Sequence, residues 1–259
     1  MPLRELKNTV LMFTSDNGFF HGEHRVPQGK VRLYEPSIRV PLEIRAPGMP
    51  KGVHRSQPVG NVDLTETILD FAGARAGRVE DGMSLRKVML DKRYWPGRGM
   101  DLETYFTPDT LEDPEDPPLN YQGVRTDRYL YANYGTGEQE LYDLRNDPFE
   151  LQNAASNPAY ANVKTALQRL LGGLANCAGR TCRAKPALKF KGGCSVARVA
   201  GKGDPQEATF YLRGKKIGSD AKPPIRFGLH HAATGEKLEA VAMSLDGRKV
   251  SLMRKLRGC

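Results

Sequence analysis

No run of residues in this 259-residue chain approaches the ~20 apolar positions needed to cross a bilayer as a helix, so no membrane span is predicted. The first residues, MPLRELKNT, lack the apolar stretch of a secretory signal peptide. There is no paired C-x2-C spacing of a zinc finger and no aromatic-rich RNA-binding motif, which argues against nucleic acid as a partner. Hydrophobic residues are scarce at 39%, yet not scarce enough for a disordered chain. Acidic residues are outnumbered, 30 against 39 Lys and Arg, for a formal charge of +9. Such a balance fits a solvated basic surface, an anionic surface partner or an anionic substrate.

Cysteines are few but even in number: Cys177, Cys182, Cys194 and Cys259. The natural pairing is 177–182 and 194–259, one of three connectivities. The second bridge would close a loop of about 65 positions, worth ~4 kcal/mol in the chain-entropy model. Disulfides point to an oxidising compartment, which sits awkwardly with the missing signal peptide.

The most informative stretch is TVLMFTSDNGFFHGEHRVPQGKVRLYEPSIRVPLEIRAP, residues 9–47. Its first apolar run, 9–15, reads as a buried parallel strand, with a short buried helix as the alternative, ending in Asp16-Asn17-Gly18. Residues 18–39 form a long Gly- and Pro-containing loop of the kind that is usually functional, and 40–45 a second strand. A carboxylate and an amide oxygen at a strand end are the hard donors that Ca²⁺ selects, at the sheet edge where α/β folds place ligands. An Asx-turn is the bland alternative. Lys30, flanked by Gly29 and Val31, returns to the same edge and could hold an anion, or could be an ordinary surface lysine. His21 and His24 are candidate substrate-binding or acid–base residues, or plain loop residues, and Glu35 is a candidate loop anchor.

Further along, Asp63 is placed to cap a helix over LTETILDFAGA, with Glu66 completing a capping box and Gly73 as the stop. Its inner face would carry Leu64, Ile68, Leu69 and Ala72. A short helix is predicted at 84–91 and a surface loop over 93–120. GVRTDRYLYANYG and QELYDLRNDP read as antiparallel strands, and Asn162–Asn176 as a helix burying Val163, Leu167, Leu170, Leu171 and Leu174. Residues 184–193 read as a linker. Residues 194–259 read as a small β sandwich with Asp246-Gly247 as a hairpin turn.

The ordered series SDNG, GEH, GK, YE, R-V-P-L, R-A-P-G, then NVDLTETILDFAG, DGMSL, VRTDRYLY and ELYDLRNDPFEL resembles the type I sulfatases of the alkaline phosphatase superfamily. It is similar to glucosamine-6-sulfatases and related arylsulfatases, over about residues 4–183. The resemblance implies an α/β fold with residues 1–92 as the C-terminal part of the sulfatase core and 93–185 as a small antiparallel-sheet subdomain, and the all-β module at 194–259 lies beyond it. It implies a sulfuric ester hydrolase acting on sulfated sugars or aryl sulfates. Asp16 and Asn17 match two Ca²⁺ ligands, Lys30 the lysine that contacts the sulfate and helps the leaving group, and His21 and His24 the substrate pocket.

The family's nucleophile is a formylglycine hydrate made within C-x-P-x-R, and that motif does not occur here. The nearest approach, Cys194-Ser195-Val196-Ala197-Arg198, has Val at the proline position and follows Asp16 in place of preceding it. Two oxygen ligands also fall short of the six to eight that Ca²⁺ takes. The expectation is therefore the C-terminal portion of a longer sulfatase, secreted or periplasmic, with signal peptide and nucleophile on the part not present. Alone it should be inactive and, with half a sheet exposed, poorly soluble. The alternatives are a phosphoester hydrolase of the same superfamily, a non-catalytic remnant, or a basic module that binds sulfated glycans.

Overall fold

The apolar run after the first turn, Glu5–Asn8, forms strand β1 at Leu11–Thr14, which pairs antiparallel with β2 at Leu42–Arg45. Between them lies the loop that ends in the short helix α1, Glu35–Ile38. The computed structural model describes residues 5–92, 94, 98–105, 120–183, 187–193, 195–230 and 232–257. The predicted buried parallel strand is corrected on both counts. β2 is the strand that β1 pairs with among the described residues, and Phe13 and Leu11 stand exposed. Side-chain burial in a strand is set by what covers its faces: Leu11 and Phe13 share an uncovered face, while Met12 and Thr14 are half-buried.

Helix α2 spans Val62–Ala72 and ends at Gly73, whose left-handed conformation (φ 64°) supplies the expected stop. Its start differs from expectation. Asn61 occupies the cap position, and Asp63 lies inside the first turn, fully buried. The capping box with Glu66 does not form. Asp63 Oδ2 accepts the Gly60 N–H (2.9 Å), Oδ1 accepts the Met83 N–H (2.9 Å), and both oxygens face Arg98. The inner face of α2 is polar, formed by Asp63 and Thr67, whereas Ile68 and Ala72 are exposed. Thr67 relays the docking by accepting the Leu85 N–H at 3.0 Å, just before helix α3, Arg86–Leu90.

The stretch predicted as a loop contributes strand β3, Met100–Thr104, to a four-stranded antiparallel sheet with β4 (Tyr121–Arg125), β5 (Tyr129–Tyr134) and β6 (Gln139–Asp143), in the order β3-β4-β5-β6. Alternation along β5 divides the two faces. Tyr129 and Tyr131 pack with Val124 and Leu141 against helix α4, Ala161–Leu174, through Val163, Ala166, Leu167 and Leu171. Leu130, Ala132 and Tyr134 face the other way, onto Leu33, Tyr34 and Ile38 of the long loop and α1. The sheet is thus clamped between α4 and the segment that follows Lys30. This clamp fixes where Lys30 can lie. A disulfide joins Cys177 and Cys182 after α4.

The predicted linker contains strand β7, Ala187–Gly192, so the C-terminal module starts earlier than expected. β7, β8 (Val196–Lys202) and β11 (Arg226–Gly228) form a three-stranded sheet in the order β11-β8-β7. β9 (Glu207–Leu212), β10 (Lys215–Asp220), β12 (Lys237–Met243) and β13 (Lys249–Lys255) form a four-stranded one, in the order β10-β9-β12-β13. The two share a core of Leu188, Ala197, Val199, Phe210, Ile225, Leu238, Ala240 and Leu256. The hairpin at Asp246-Gly247 joins β12 to β13, with Gly247 at φ 81°. The proposed Cys194–Cys259 bridge lies outside the described residues.

Candidate functional site

β1 delivers Ser15, Asp16 and Asn17 to its C-terminal end. The Ser15 hydroxyl donates to Asn17 O (2.8 Å) and to Asp16 Oδ1 (3.3 Å), which also accepts the Asn17 N–H at 2.9 Å. The hydrogen bond from the Asn17 N–H, then that from Ser15, hold the Asp16 carboxyl below its usual range, and the Lys30 charge acts in the same direction. Asn61, at the start of α2, donates to the Asp16 carbonyl at 3.3 Å and ties the turn to that helix.

Gly18 must be glycine because two backbones cross there. Its N–H donates to Ser37 O at 2.7 Å, and a Cβ would stand 2.0 Å from Pro36 O. Replacing Gly18 by Ala is expected to cost about 1–3 kcal/mol, because neither backbone can yield without moving the strand end. In urea titrations of both variants, Gly77→Ala, at an open position, should stay within about 0.5 kcal/mol of the parent.

The long loop closes on itself. Phe20, fully buried, bridges to Gly29, its N–H donating to Gly29 O at 2.8 Å. This pairing returns the chain toward the strand end, and the Lys30 charge is felt at the Asp16 carboxyl. Val31 then takes φ 69°, a conformation that a β-branched residue rarely adopts, with its N–H held by the buried Ser37 hydroxyl at 3.1 Å. A strained residue next to the cationic one fits a loop whose geometry is imposed by its surroundings.

The histidines part company. His21 is exposed, with its ring 5.3 Å from that of Phe19 and its N–H donated to Glu23 Oε2. His24, at φ 55°, stacks flat on Tyr34 (3.9 Å between centroids), and its Nε2 lies 3.9 Å from Glu150 Oε2. It therefore faces the four-stranded sheet, and no contact links it to Asp16. Tyr34 donates to Glu140 Oε1 at 3.1 Å, and burial, then the Glu140 charge, push its hydroxyl up to about 12. Glu35 anchors the loop, taking Arg125 Nε at 2.7 Å and donating its own N–H to Glu150 Oε2 at 2.9 Å.

Glu150 is the residue that sequence reasoning missed. It sits in NDPFEL, to which the sequence assigned no site role, and is 2% exposed at φ 55°. Its Oε1 has no hydrogen-bond partner among the described residues. The available signal was indirect: an acid held by the same segment that must meet the Tyr34-Glu35 pair.

Asp16 and Asn17 are hard oxygen donors at an accessible strand end, the donor type Ca²⁺ prefers. Among the described residues no group of three or more His, Cys, Asp or Glu is placed to hold a metal. The chain thus offers part of a ligand set and not a whole one.

A solved structure in complex with its substrate, D-glucosamine-2-N,6-O-disulfate, matches with a TM-score of 0.59 and 33% identity, over 65% of this chain and 34% of that one. The phosphonate monoester hydrolase of Agrobacterium radiobacter matches with a TM-score of 0.55 and 26% identity, over 75% of this chain and 39% of that one. The chain belongs to the family described as N-sulphoglucosamine sulphohydrolase, C-terminal, whose model matches residues 22–176. It is 33% identical to the N-acetylglucosamine-6-O-sulfatase of Bacteroides thetaiotaomicron over 171 residues, 64% of this chain and 30% of that protein. It is 32% identical to human N-acetylglucosamine-6-sulfatase over 206 residues, 69% of this chain and 37% of that protein. The chain therefore spans about a third of the length of the curated relatives it matches.

Proposed function

We propose that this chain supplies the C-terminal part of the sulfate site of a sulfuric ester hydrolase acting on sulfated amino sugars. The observation that supports the reading is the Phe20–Gly29 pairing, which turns the loop back before Lys30, whose charge acts on Asp16. Cleavage of a sulfate ester builds negative charge on the bridging and peripheral oxygens, and fixed cationic groups stabilise that charge without reorganising. Lys30 is the cation this chain contributes, aimed at the sulfate or at the departing oxygen. Asp16 and Asn17 would hold a Ca²⁺ whose charge supplies further electrostatic stabilisation. The order Asp16-Asn17 favours sulfate over phosphoester, since phosphoester hydrolases of the superfamily more often pair Asp with His. The relatives that act on 6-sulfated N-acetylglucosamine support an amino-sugar substrate. The Cys177–Cys182 disulfide suits a secreted or periplasmic setting.

Without C-x-P-x-R the 259-residue chain is expected to turn over 4-nitrophenyl sulfate at background rate and to bind Ca²⁺ weakly by calorimetry. Fused behind the N-terminal part of a related sulfatase, it should gain turnover that Lys30→Ala lowers by about 10²–10³-fold, the usual cost of one charge-stabilising donor. Ordinary enzyme rates from the chain alone would sink the reading. So would an active fusion indifferent to Lys30.

A further inference from the structure

We propose that the outer face of the three-stranded sheet β11-β8-β7 is a binding surface for a sulfated polysaccharide chain, separate from the strand-end site. The charge of the molecule is unevenly shared. Residues 187–259 hold 15 Lys and Arg against 6 Asp and Glu, whereas residues 1–186 hold 24 of each, so the whole excess of +9 belongs to the β module.

Register then gathers much of that excess on one face. Lys191 pairs with Arg198 and Arg198 with Arg226, a row of three cations directly opposite one another across three strands. Lys189 and Lys202 flank the row on the same face, opposite Ala200 and Ala187. All five are exposed, while Leu188, Ala197 and Val199 of the alternate positions are buried. None of the five makes an ion pair among the described residues. The carboxylate of nearby Asp220 is taken by the backbone N–H groups of Lys222 (3.0 Å) and Arg226 (2.8 Å).

Like charges directly opposite in a sheet are destabilising. Lysines on β7 could be explained as guards of an open strand edge. Arg198 cannot, because β8 is central at that position, paired with Lys191 of β7 on one side and Arg226 of β11 on the other. The outer face of the other sheet is mixed by comparison: Lys237 pairs with Glu239 at 3.0 Å, and Glu207 lies 4.0 Å from Arg145.

The occupant follows from the chemistry of the face. Its row spans about 10 Å across the strands, so an extended polyanion laid along it meets one cation per strand. Two of the three are arginines, whose planar forks take oxyanions bidentately. The other outward positions on these strands are Ala187, Val196, Ala200 and Gly228, so no aromatic ring offers the stacking platform that single-stranded nucleic acid uses. Repeated sulfate groups on a sugar chain satisfy this surface, and nucleobases do not.

The test uses the full chain and heparin, read by calorimetry at 150 mM salt. The variant Lys191→Ala/Arg198→Ala/Arg226→Ala should bind about 100-fold more weakly, at roughly tenfold for every 1.4 kcal/mol lost. The charge-matched control Lys237→Ala/Lys249→Ala/Lys255→Ala should stay within about fivefold of the parent. Desulfated heparin should bind the parent far more weakly than heparin does. Equal losses in both triple variants would overturn the proposal in favour of diffuse net charge. Tighter binding to single-stranded DNA of matched length, or to phosphatidylserine vesicles, would overturn it in favour of those partners. If the triple variant melts below the parent, Arg198→Ala alone should still weaken heparin binding about fivefold, and an unchanged affinity would count against the surface. The readout is binding, so its failure is distinct from a failure of the sulfatase reading.

Discussion

Asp63→Ala is expected to destabilise the chain by about 3–5 kcal/mol, enough to remove a cooperative urea transition from a domain of ordinary stability. The carboxylate is fully buried and Arg98 is 8% exposed. Deleting the acid strands a guanidinium whose Nε already lacks a partner among the described residues. It also leaves the Gly60 and Met83 N–H groups without their acceptor. Breaking a buried pair from one side costs far more than replacing both members. Asp63→Leu combined with Arg98→Met should therefore recover much of the loss, and the double-mutant cycle should show a coupling of at least about 2 kcal/mol. A single Asp63→Ala variant within 1 kcal/mol of the parent would refute this account of how α2 docks.

That pair also shows where sequence reading stops. An Asp preceding an apolar run is a sound cap signal, and the helix is where the signal places it. The partner that pulls Asp63 inward stands 35 residues away, and no local pattern names it. Strands β4 to β6 were legible because their alternating tyrosines and leucines are covered on both faces within this chain. Helix α4 was legible because Val163, Leu167 and Leu171 recur at helical spacing. β1 has the same apolar texture as a buried strand but is covered on one face at most, so composition misjudged its burial and its pairing direction. MDLET, which forms β3, has few strand-favouring residues and borders an acidic, proline-rich stretch. The alternation in ALKFKG was present but hidden among residues that read as a linker. At the strand end, the types and order of Asp16, Asn17 and Lys30 were readable. Their approach was not, since it depends on Phe20 meeting Gly29 and on Gly18 crossing Pro36.

Glu150 turns the docking of the long loop into a pH-dependent quantity. Burial, opposed in part by the Glu35 N–H and then by the Arg125 charge, raises its carboxyl from 4.5 to about 7, with Glu35 and Asp147 adding repulsion. The unfolded chain releases this proton near 4.5 while the folded chain keeps it to about 7, so the native state binds more protons in between. Stability from this group is complete below 4.5, falls as pH rises toward 7, and is lost above it, a change of roughly 3 kcal/mol. Glu150→Gln keeps an acceptor for the Glu35 N–H and cannot ionise. The variant should match the parent at pH 4.5 and exceed it by up to roughly 3 kcal/mol at pH 8 in urea titrations. Glu150→Ala removes the acceptor and should be less stable than Glu150→Gln at both, by about 1–3 kcal/mol. Because His24 stacks on Tyr34 against this carboxyl, amide exchange of residues 20–26 should slow in Glu150→Gln at pH 8 and remain unchanged at pH 4.5. A parent and variant that track each other in stability from pH 4.5 to 8 would show that Glu150 is solvated and that the loop is held by Glu35 and Arg125 alone.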